Sequence, residues 1–195
     1  MYFKNWKKEI VSIPNLLSLF RIALIPVYVV IYLTATQTHQ YVIAAMILAV
    51  SCLTDMIDGK IARQYNMITD LGKVLDPFAD KLTQFILTIC LSLKHPVMIP
   101  VLVLFFSKEL FQFIASIINF RRGKVLSGAL VVGKICTTVL FTSLITLVMF
   151  PYLKQSTINI IAVTDIVFLS IAFISYIFAF FGRNAKVQDW TPPKE

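Results

Sequence analysis

Long apolar runs separated by short polar breaks fill most of this chain. Six of them fall near residues 14–33, 41–61, 74–93, 97–119, 127–150 and 157–181. Each is about 20 residues long, the length at which a helix spans roughly 30 Å of hydrocarbon. In hydrocarbon every backbone polar group must be paired within its own segment, so runs of this length read as helices rather than strands. The pattern predicts an all-α integral membrane protein with six transmembrane helices. Pro151 closes the fifth run. Pro77 falls in the first turn of the third, where a missing N–H costs little. Residues 1–12 mix Lys4, Lys7 and Lys8 with Tyr2, Phe3 and Trp6, which suits an N-terminal interfacial segment. Residues 13–183 then form a single six-helix transmembrane domain, and 184–195 a loose tail. A signal peptide also starts basic and turns apolar, but Arg21 and Pro26 interrupt this run, which continues to Leu33.

Composition agrees with the pattern. Of 195 residues 58% are hydrophobic and 14% charged, whereas a soluble domain carries about a quarter charged residues. Mean hydropathy is +0.81. Cys52, Cys90 and Cys136 all lie in apolar stretches without a zinc or redox spacing, so they read as small buried hydrophobes.

The net charge of +8 is placed unevenly. Lys4, Lys7 and Lys8 precede the first run. Lys60, Arg63 and Lys73 flank the break between the second and third runs, and Arg121, Arg122 and Lys124 follow the fourth. Arg183, Lys186 and Lys194 follow the sixth, while the opposite side has only Lys94 and Lys154. Lys and Arg accumulate on cytoplasmic loops, which puts both termini and these two loops in the cytoplasm. No basic run interleaves with aromatics outside the apolar segments, so nucleic acid is not an expected partner. Anionic membrane lipid is.

Four aspartates interrupt the apolar pattern. The span DMIDGKIARQYNMITDLGKVLDPFAD fits D-x2-D-G-x2-A-R-x8-G-x3-D-x3-D at Asp55, Asp58, Gly59, Ala62, Arg63, Gly72, Asp76 and Asp80. Four carboxylates at a bilayer centre would cost on the order of 10 kcal/mol, so cations are needed to neutralise them. Asp55 and Asp58 are i, i+3 on the second predicted helix, and Asp76 and Asp80 are i, i+4 on the third. Each spacing puts a pair on one helix face. If the pairs converge they make an oxygen-only box suited to Mg2+ or Mn2+, and two such metals could clamp a diphosphate. Gly59 and Ala62 leave room beside the carboxylates. Arg63 can make paired hydrogen bonds to phosphate, and Gly72 lets the backbone turn or come close to a ligand.

The eight-position span resembles the signature of the CDP-alcohol phosphatidyltransferase family, and the six-helix layout is similar to that family's fold. The resemblance implies a membrane enzyme that moves a phosphatidyl group from CDP-diacylglycerol to an alcohol and releases CMP. It implies two divalent cations, Mg2+ or Mn2+, on Asp55, Asp58, Asp76 and Asp80, with Asp80 also the general base. Asp58, Gly59, Ala62, Arg63 and Gly72 would belong to the CDP pocket. So would Asn15 and Ser18, from a first helix (PNLLSLFRIALIP) that resembles P-N-x-L-T-x-x-R…P with Ser18 for Thr. It also implies a bacterial plasma-membrane enzyme, present as a homodimer.

Within the family the chain looks like the bacterial phosphatidylglycerophosphate synthase branch, whose acceptor is glycerol 3-phosphate. Candidate cations for the acceptor phosphate are Lys108, Arg121, Arg122 and Lys134. Three positions depart from that branch. Lys108 stands where Arg is usual, and Ser116 and Cys136 stand where further cations are expected. A less cationic pocket leaves another acceptor open, such as phosphatidylglycerol for cardiolipin synthesis, and loss of activity as well. Lys108 and Glu109 could instead form a buried structural pair. The three basic residues after the fourth run could be no more than positive-inside anchors. Asp165 reads as an outer-interface residue, capping or solvated, and His39 and His95 carry no assigned chemistry. Two rivals fit less well. Membrane prenyltransferases carry two separated Asp-rich motifs, and a cation transporter or binding protein has no need of the Gly59, Ala62, Arg63 and Gly72 pattern.

Overall fold

The computed structural model describes residues 12–64, 69, 71–121, 124–126, 130–181 and 187–189. Six long helices follow one another: α1 Ile13–Thr34, α2 Thr38–Gln64, α3 Gly72–Lys94, α4 Ile99–Arg121, α5 Leu130–Met149 and α6 Gln155–Phe181. A 3-10 turn, Pro96–Met98, leads into α4. The expected helices are all present. Stretches of α1, α4, α5 and α6 are long and apolar enough to cross a membrane, and Thr38–Thr54 of α2 is a shorter apolar helix. The rest of α2, and α3, carry the aspartate span, whose charges break the apolar pattern. The chain is a multi-pass membrane protein, and its surface shows it: Val30, Met46, Phe78, Phe113, Ile160 and Phe178 are exposed.

Boundaries shift at three chemically relevant places. Arg63 lies within α2 and Lys73 within α3, not in a loop between them, and Arg121 is the last residue of α4. Pro77 is the sixth residue of α3, beyond the first turn, because the helix starts at Gly72 rather than at Val74. Its ring removes the donor that the Lys73 carbonyl would otherwise receive. The tail, expected to be loose, contributes a strand. Lys124–Leu126 (β1) pairs antiparallel with Val187–Asp189 (β2), Leu126 facing Val187 and Lys124 facing Asp189.

The helices group into two compact units. The first holds α1, α2 and α3 with residues 144–152; the second holds 95–143, with α4 and most of α5, and 153–195, with α6.

In the first unit α1 packs against both α2 and α3. Its buried side is a stripe of Pro14, Asn15, Ser18, Arg21, Tyr28 and Tyr32, the spacing of one helix face. Its N-terminal half is polar and its C-terminal half aromatic. Gln40 caps α2: its Oε1 accepts the N–H groups of Thr36 at 2.7 Å and Gln37 at 3.0 Å. Along α3 the buried hydroxyls of Thr83, Thr88 and Ser92 donate to the carbonyls of Ala79, Gln84 and Thr88 one turn back, which satisfies them without an outside partner.

In the second unit α4 packs against α6. The α6 core runs Ile158, Ala162, Asp165, Leu169, Ala172, Tyr176, alternating steps of four and three residues. Phe111 of α4 meets Phe173 edge-on at 5.5 Å and Phe180 at 5.9 Å. Asp165 is not interfacial as expected. It lies in the middle of this stripe and is 1% exposed, because α6 starts ten residues before it.

Candidate functional site

In the first unit three polar residues of α1 each meet a residue of the α3 motif. Asn15, Ser18 and Arg21 step by three along α1, and Gly72, Asp76 and Asp80 step by four along α3. Rows spaced three and four apart are the ridges that interlock when helices pack at a shallow angle. The seam is therefore a packing pattern in which polar groups have replaced apolar ones.

At its first rung Asn15 Nδ2 donates to Thr69 Oγ1 at 3.0 Å, and the same hydroxyl oxygen accepts the Gly72 N–H at 2.9 Å. Thr69 so closes one of the open donors at the start of α3. A Cβ at position 72 would stand 2.7 Å from Asn15 Oδ1 and 3.0 Å from Thr69 Oγ1. Gly72 is thus the place where α1 and the start of α3 come closest, and the neighbour that fills the space is Asn15. At the second rung the Ser18 hydroxyl reaches Asp76 Oδ1, and it also lies 3.1 Å from the Pro14 carbonyl oxygen. At the third rung Arg21 Nη1 donates to Asp80 Oδ1 in an ion pair. The Arg21 side chain is 2% exposed and that of Asp80 is 47% exposed. The guanidinium is fixed in the protein while the carboxylate reaches the surface.

Beside Arg21 lies a narrow apolar slot between Leu24 and Tyr28 of α1, Leu48 and Ser51 of α2, and Thr83 and Leu87 of α3. Among the described residues the buried Tyr28 hydroxyl has no hydrogen-bond partner.

Asp55, Asp58, Gly59, Ala62 and Arg63 lie on the last turns of α2. Their side chains, and whether the α2 pair faces Asp76 and Asp80, lie outside the described residues. Among the described residues no group of three metal-ligating side chains occurs. The described half of the donor set does fit a hard cation in kind: two carboxylates, i and i+4 on α3, with hydroxyl and guanidinium partners holding one oxygen of each.

The second unit holds the expected acceptor residues. Lys108 is 1% exposed and pairs with Glu109 Oε1. Its ammonium lies 6.0 Å from the centre of the Phe105 ring and 5.8 Å from that of Tyr176. These contacts match the buried structural pair. Gly133 is where Tyr176 approaches α5, since a Cβ there would stand 2.2 Å from the Tyr176 hydroxyl. Lys134, one residue on, is exposed. Of the departures, Ser116 is exposed and Cys136 is buried. The Arg121 side chain and all of Arg122 lie outside the described residues.

Sequence reasoning noticed Arg21 but gave it no role in the site, and it missed Thr69. A signal existed for Arg21: an arginine in an apolar helix, on the same face as Asn15 and Ser18. Thr69 lies in a connection with no periodicity, and nothing marked it.

Comparison with known proteins places these residues in a family. Over 71 residues, 36% of this chain and 39% of the relative, the chain is 41% identical to a CDP-diacylglycerol–glycerol-3-phosphate 3-phosphatidyltransferase of Rickettsia bellii. Over 70 residues, 36% of this chain and 38% of the relative, it is 43% identical to the protein of that name from Escherichia coli K12. A probable phosphatidylglycerophosphate synthase of Mycobacterium tuberculosis is 32% identical over 121 residues, 61% of this chain and 58% of the relative. The chain spans about half the length of the curated relatives it matches. The model of the CDP-alcohol phosphatidyltransferases matches residues 11–182, and so takes in all six helices and both halves of the aspartate span. A match of that extent settles membership: the chain belongs to the CDP-alcohol phosphatidyltransferase family.

Proposed function

We propose that this protein transfers the phosphatidyl group of CDP-diacylglycerol to glycerol 3-phosphate, giving phosphatidylglycerophosphate and CMP. The observation that carries this reading is the polar seam, in which Ser18 holds Asp76 and Arg21 holds Asp80 on the face where the family signature puts its chemistry. The names of the bacterial relatives support the donor and the acceptor.

Asp55, Asp58, Asp76 and Asp80 would hold two divalent cations, Mg2+ or Mn2+. When bound, these supply neutralisation of the diphosphate and of the charge that develops at phosphorus. The chain's own residues do the rest. Arg63, with Gly59, Ala62 and the first-helix residues Asn15 and Ser18, would seat the CDP group. Asp80, half open to solvent, takes the proton of the acceptor hydroxyl. The acceptor oxygen forms a bond to the β-phosphorus, and the bond from that phosphorus to the bridging oxygen of CMP breaks. CMP leaves as a phosphate and needs no proton. Basic asymmetry puts the site and both termini on the cytoplasmic side of a bacterial plasma membrane, with the acyl chains left in the bilayer. The protein would work as a homodimer, with residues 13–183 as its catalytic domain.

A second acceptor is favoured by one observation. Lys108 is committed to Glu109 and two ring faces, so the cations left for a phosphate are Arg121, Arg122 and Lys134. An acceptor without its own phosphomonoester needs fewer. Purified protein with Mn2+ and CDP-diacylglycerol should release CMP only when glycerol 3-phosphate is added. Release with phosphatidylglycerol instead would select cardiolipin synthesis. If neither acceptor, nor serine, nor inositol phosphate supports release, the transferase reading fails.

A further inference from the structure

Arg21 has no place in the chemistry above, yet among the described residues it is the most completely enclosed charged group that touches the site. Its side chain is 2% exposed and its partner is Asp80, the residue asked to be both ligand and base. The same side chain also lines the apolar slot walled by Leu24, Leu48 and Leu87. Low-polarity walls strengthen an ion pair, and a guanidinium keeps a fixed planar fork that an ammonium lacks. Separating a guanidinium buried this deeply from a carboxylate it is bonded to is costly.

We propose that Arg21 is a positioning residue: a permanent counter-cation that shares Asp80 with the divalent metal and fixes the direction in which the carboxylate meets the acceptor. The inference rests on the proposed role of Asp80. A cation held on a ligand carboxylate has two opposed effects. It repels the metal, because like charges a few ångströms apart interact strongly at intermediate dielectric. It also restrains the carboxylate, and loss of such an outer partner typically costs about 10–100-fold in metal affinity or activity; on Asp80 the lifted repulsion offsets the loss of affinity and leaves the loss of activity. Removing the charge should then tighten metal binding while it slows turnover. A residue that only supported the fold would weaken both.

The test uses the purified full-length protein in detergent, with Mn2+ binding followed by electron paramagnetic resonance and turnover by CMP release. In Arg21→Met the dissociation constant for Mn2+ should fall at least about threefold. Its kcat should fall at least about tenfold, with the KM for CDP-diacylglycerol within about twofold of wild type. Arg21→Lys keeps the charge and loses the fork, so it should bind Mn2+ as wild type does while kcat still falls. Weaker Mn2+ binding in a folded Arg21→Met protein, or kcat and Mn2+ binding both unchanged, overturns the proposal. Should Arg21→Met not fold, Arg21→Lys decides: a wild-type kcat overturns the proposal, and a reduced kcat at unchanged Mn2+ affinity and melting temperature supports it. The failure of the wild-type protein to release CMP with any acceptor would sink the transferase reading, whereas the Mn2+ measurements read the coupling of Arg21 to the carboxylates independently of turnover.

Discussion

Gly133 shows how much of a membrane site is set by where bulk is missing. Tyr176 fills the space that a side chain at 133 would need, and the Tyr176 ring in turn lies over the Lys108 ammonium. Gly133→Ala should destabilise the protein by about 1–3 kcal/mol, the usual cost of an inserted methyl in a packed interior. Because the closest atom is the hydroxyl oxygen, Tyr176→Phe in the same chain should recover part of the loss, read as melting temperature in detergent. The nearest ring carbon, 3.1 Å away, limits that recovery. Two substitutions separate chemistry from binding. Asp80→Asn keeps the shape and removes the proton acceptor, so CMP release should vanish while CDP-diacylglycerol still binds in a filtration assay; near-normal turnover would remove Asp80 from the base role. Lys134 is exposed, and among the described residues it has none of the ring contacts that hold Lys108. Lys134→Ala should raise the KM for glycerol 3-phosphate by about tenfold, the worth of one charge-assisted contact, and leave that for CDP-diacylglycerol unchanged. At this scale the sequence was most legible where residue type is costly in the membrane. Four aspartates announced themselves. Gly72 also stood out, but its neighbour did not: Asn15 is far away in sequence, and only the packing of α1 on α3 brings it there.

Among the elements, helix existence was legible because apolar length is what a bilayer demands, and all six helices lie within a few residues of the apolar runs. Their ends were less so. Charged residues such as Arg63 and Lys73 read as loop, yet a helix continues past its apolar stretch as long as backbone pairing is favourable, and α2 and α3 both do. The Lys94 end of the first unit was not legible at all. Lys94, which looked like a stray cation on the sparsely charged side, closes α3 onto its neighbours. Its ammonium donates to the Tyr41 hydroxyl at 2.6 Å and to the Ala35 carbonyl at 3.2 Å, just past the end of α1. It also lies 4.3 Å from the centre of the Tyr41 ring and 4.7 Å from that of Tyr32. Tyr28 stacks on Tyr32 at 5.4 Å, and Tyr152 meets Tyr41 edge-on at 6.4 Å. A cation at a helix C-terminus and over two rings is favourable on both counts. Lys94→Met keeps the stem and removes the charge, and should destabilise by about 1–3 kcal/mol. Tyr41→Phe keeps the ring and loses one hydrogen bond, about 1 kcal/mol. Melting temperatures in detergent should therefore rank wild type, Tyr41→Phe, Lys94→Met in falling order. Equal values for the last two would mean that the ring contacts contribute little.

For the whole molecule, the open question is how four aspartates fit a chain that crosses the membrane, and helix length answers it. The apolar part of α2, Thr38–Thr54, gives about 25 Å of helix, so Asp55 falls near the far edge of roughly 30 Å of hydrocarbon if Thr38 starts at the near edge. Counting from Lys94 along α3, Asp76 falls about 27 Å in and Asp80 about 21 Å. On that placement Asp55 and Asp76 would share a depth near one boundary of the hydrocarbon. Asp80 lies one turn deeper, where a fixed guanidinium partner is most needed and where Arg21 supplies it. This arrangement requires α2 and α3 each to cross. If they formed a shallow hairpin on the outer side instead, the aspartates would face away from the cytoplasm and from any nucleotide. Single cysteines distinguish the two, in a chain whose Cys52, Cys90 and Cys136 have been changed to Ser. Cysteine introduced at Gln64, the exposed last residue of α2, should react with a membrane-impermeant maleimide only in inverted vesicles. At Thr38, the first residue of α2, it should react only from the outside. Reaction of both from the outside would place the aspartate span on the wrong side of the membrane and end the nucleotide-dependent reading, because no change of acceptor could bring the donor to it.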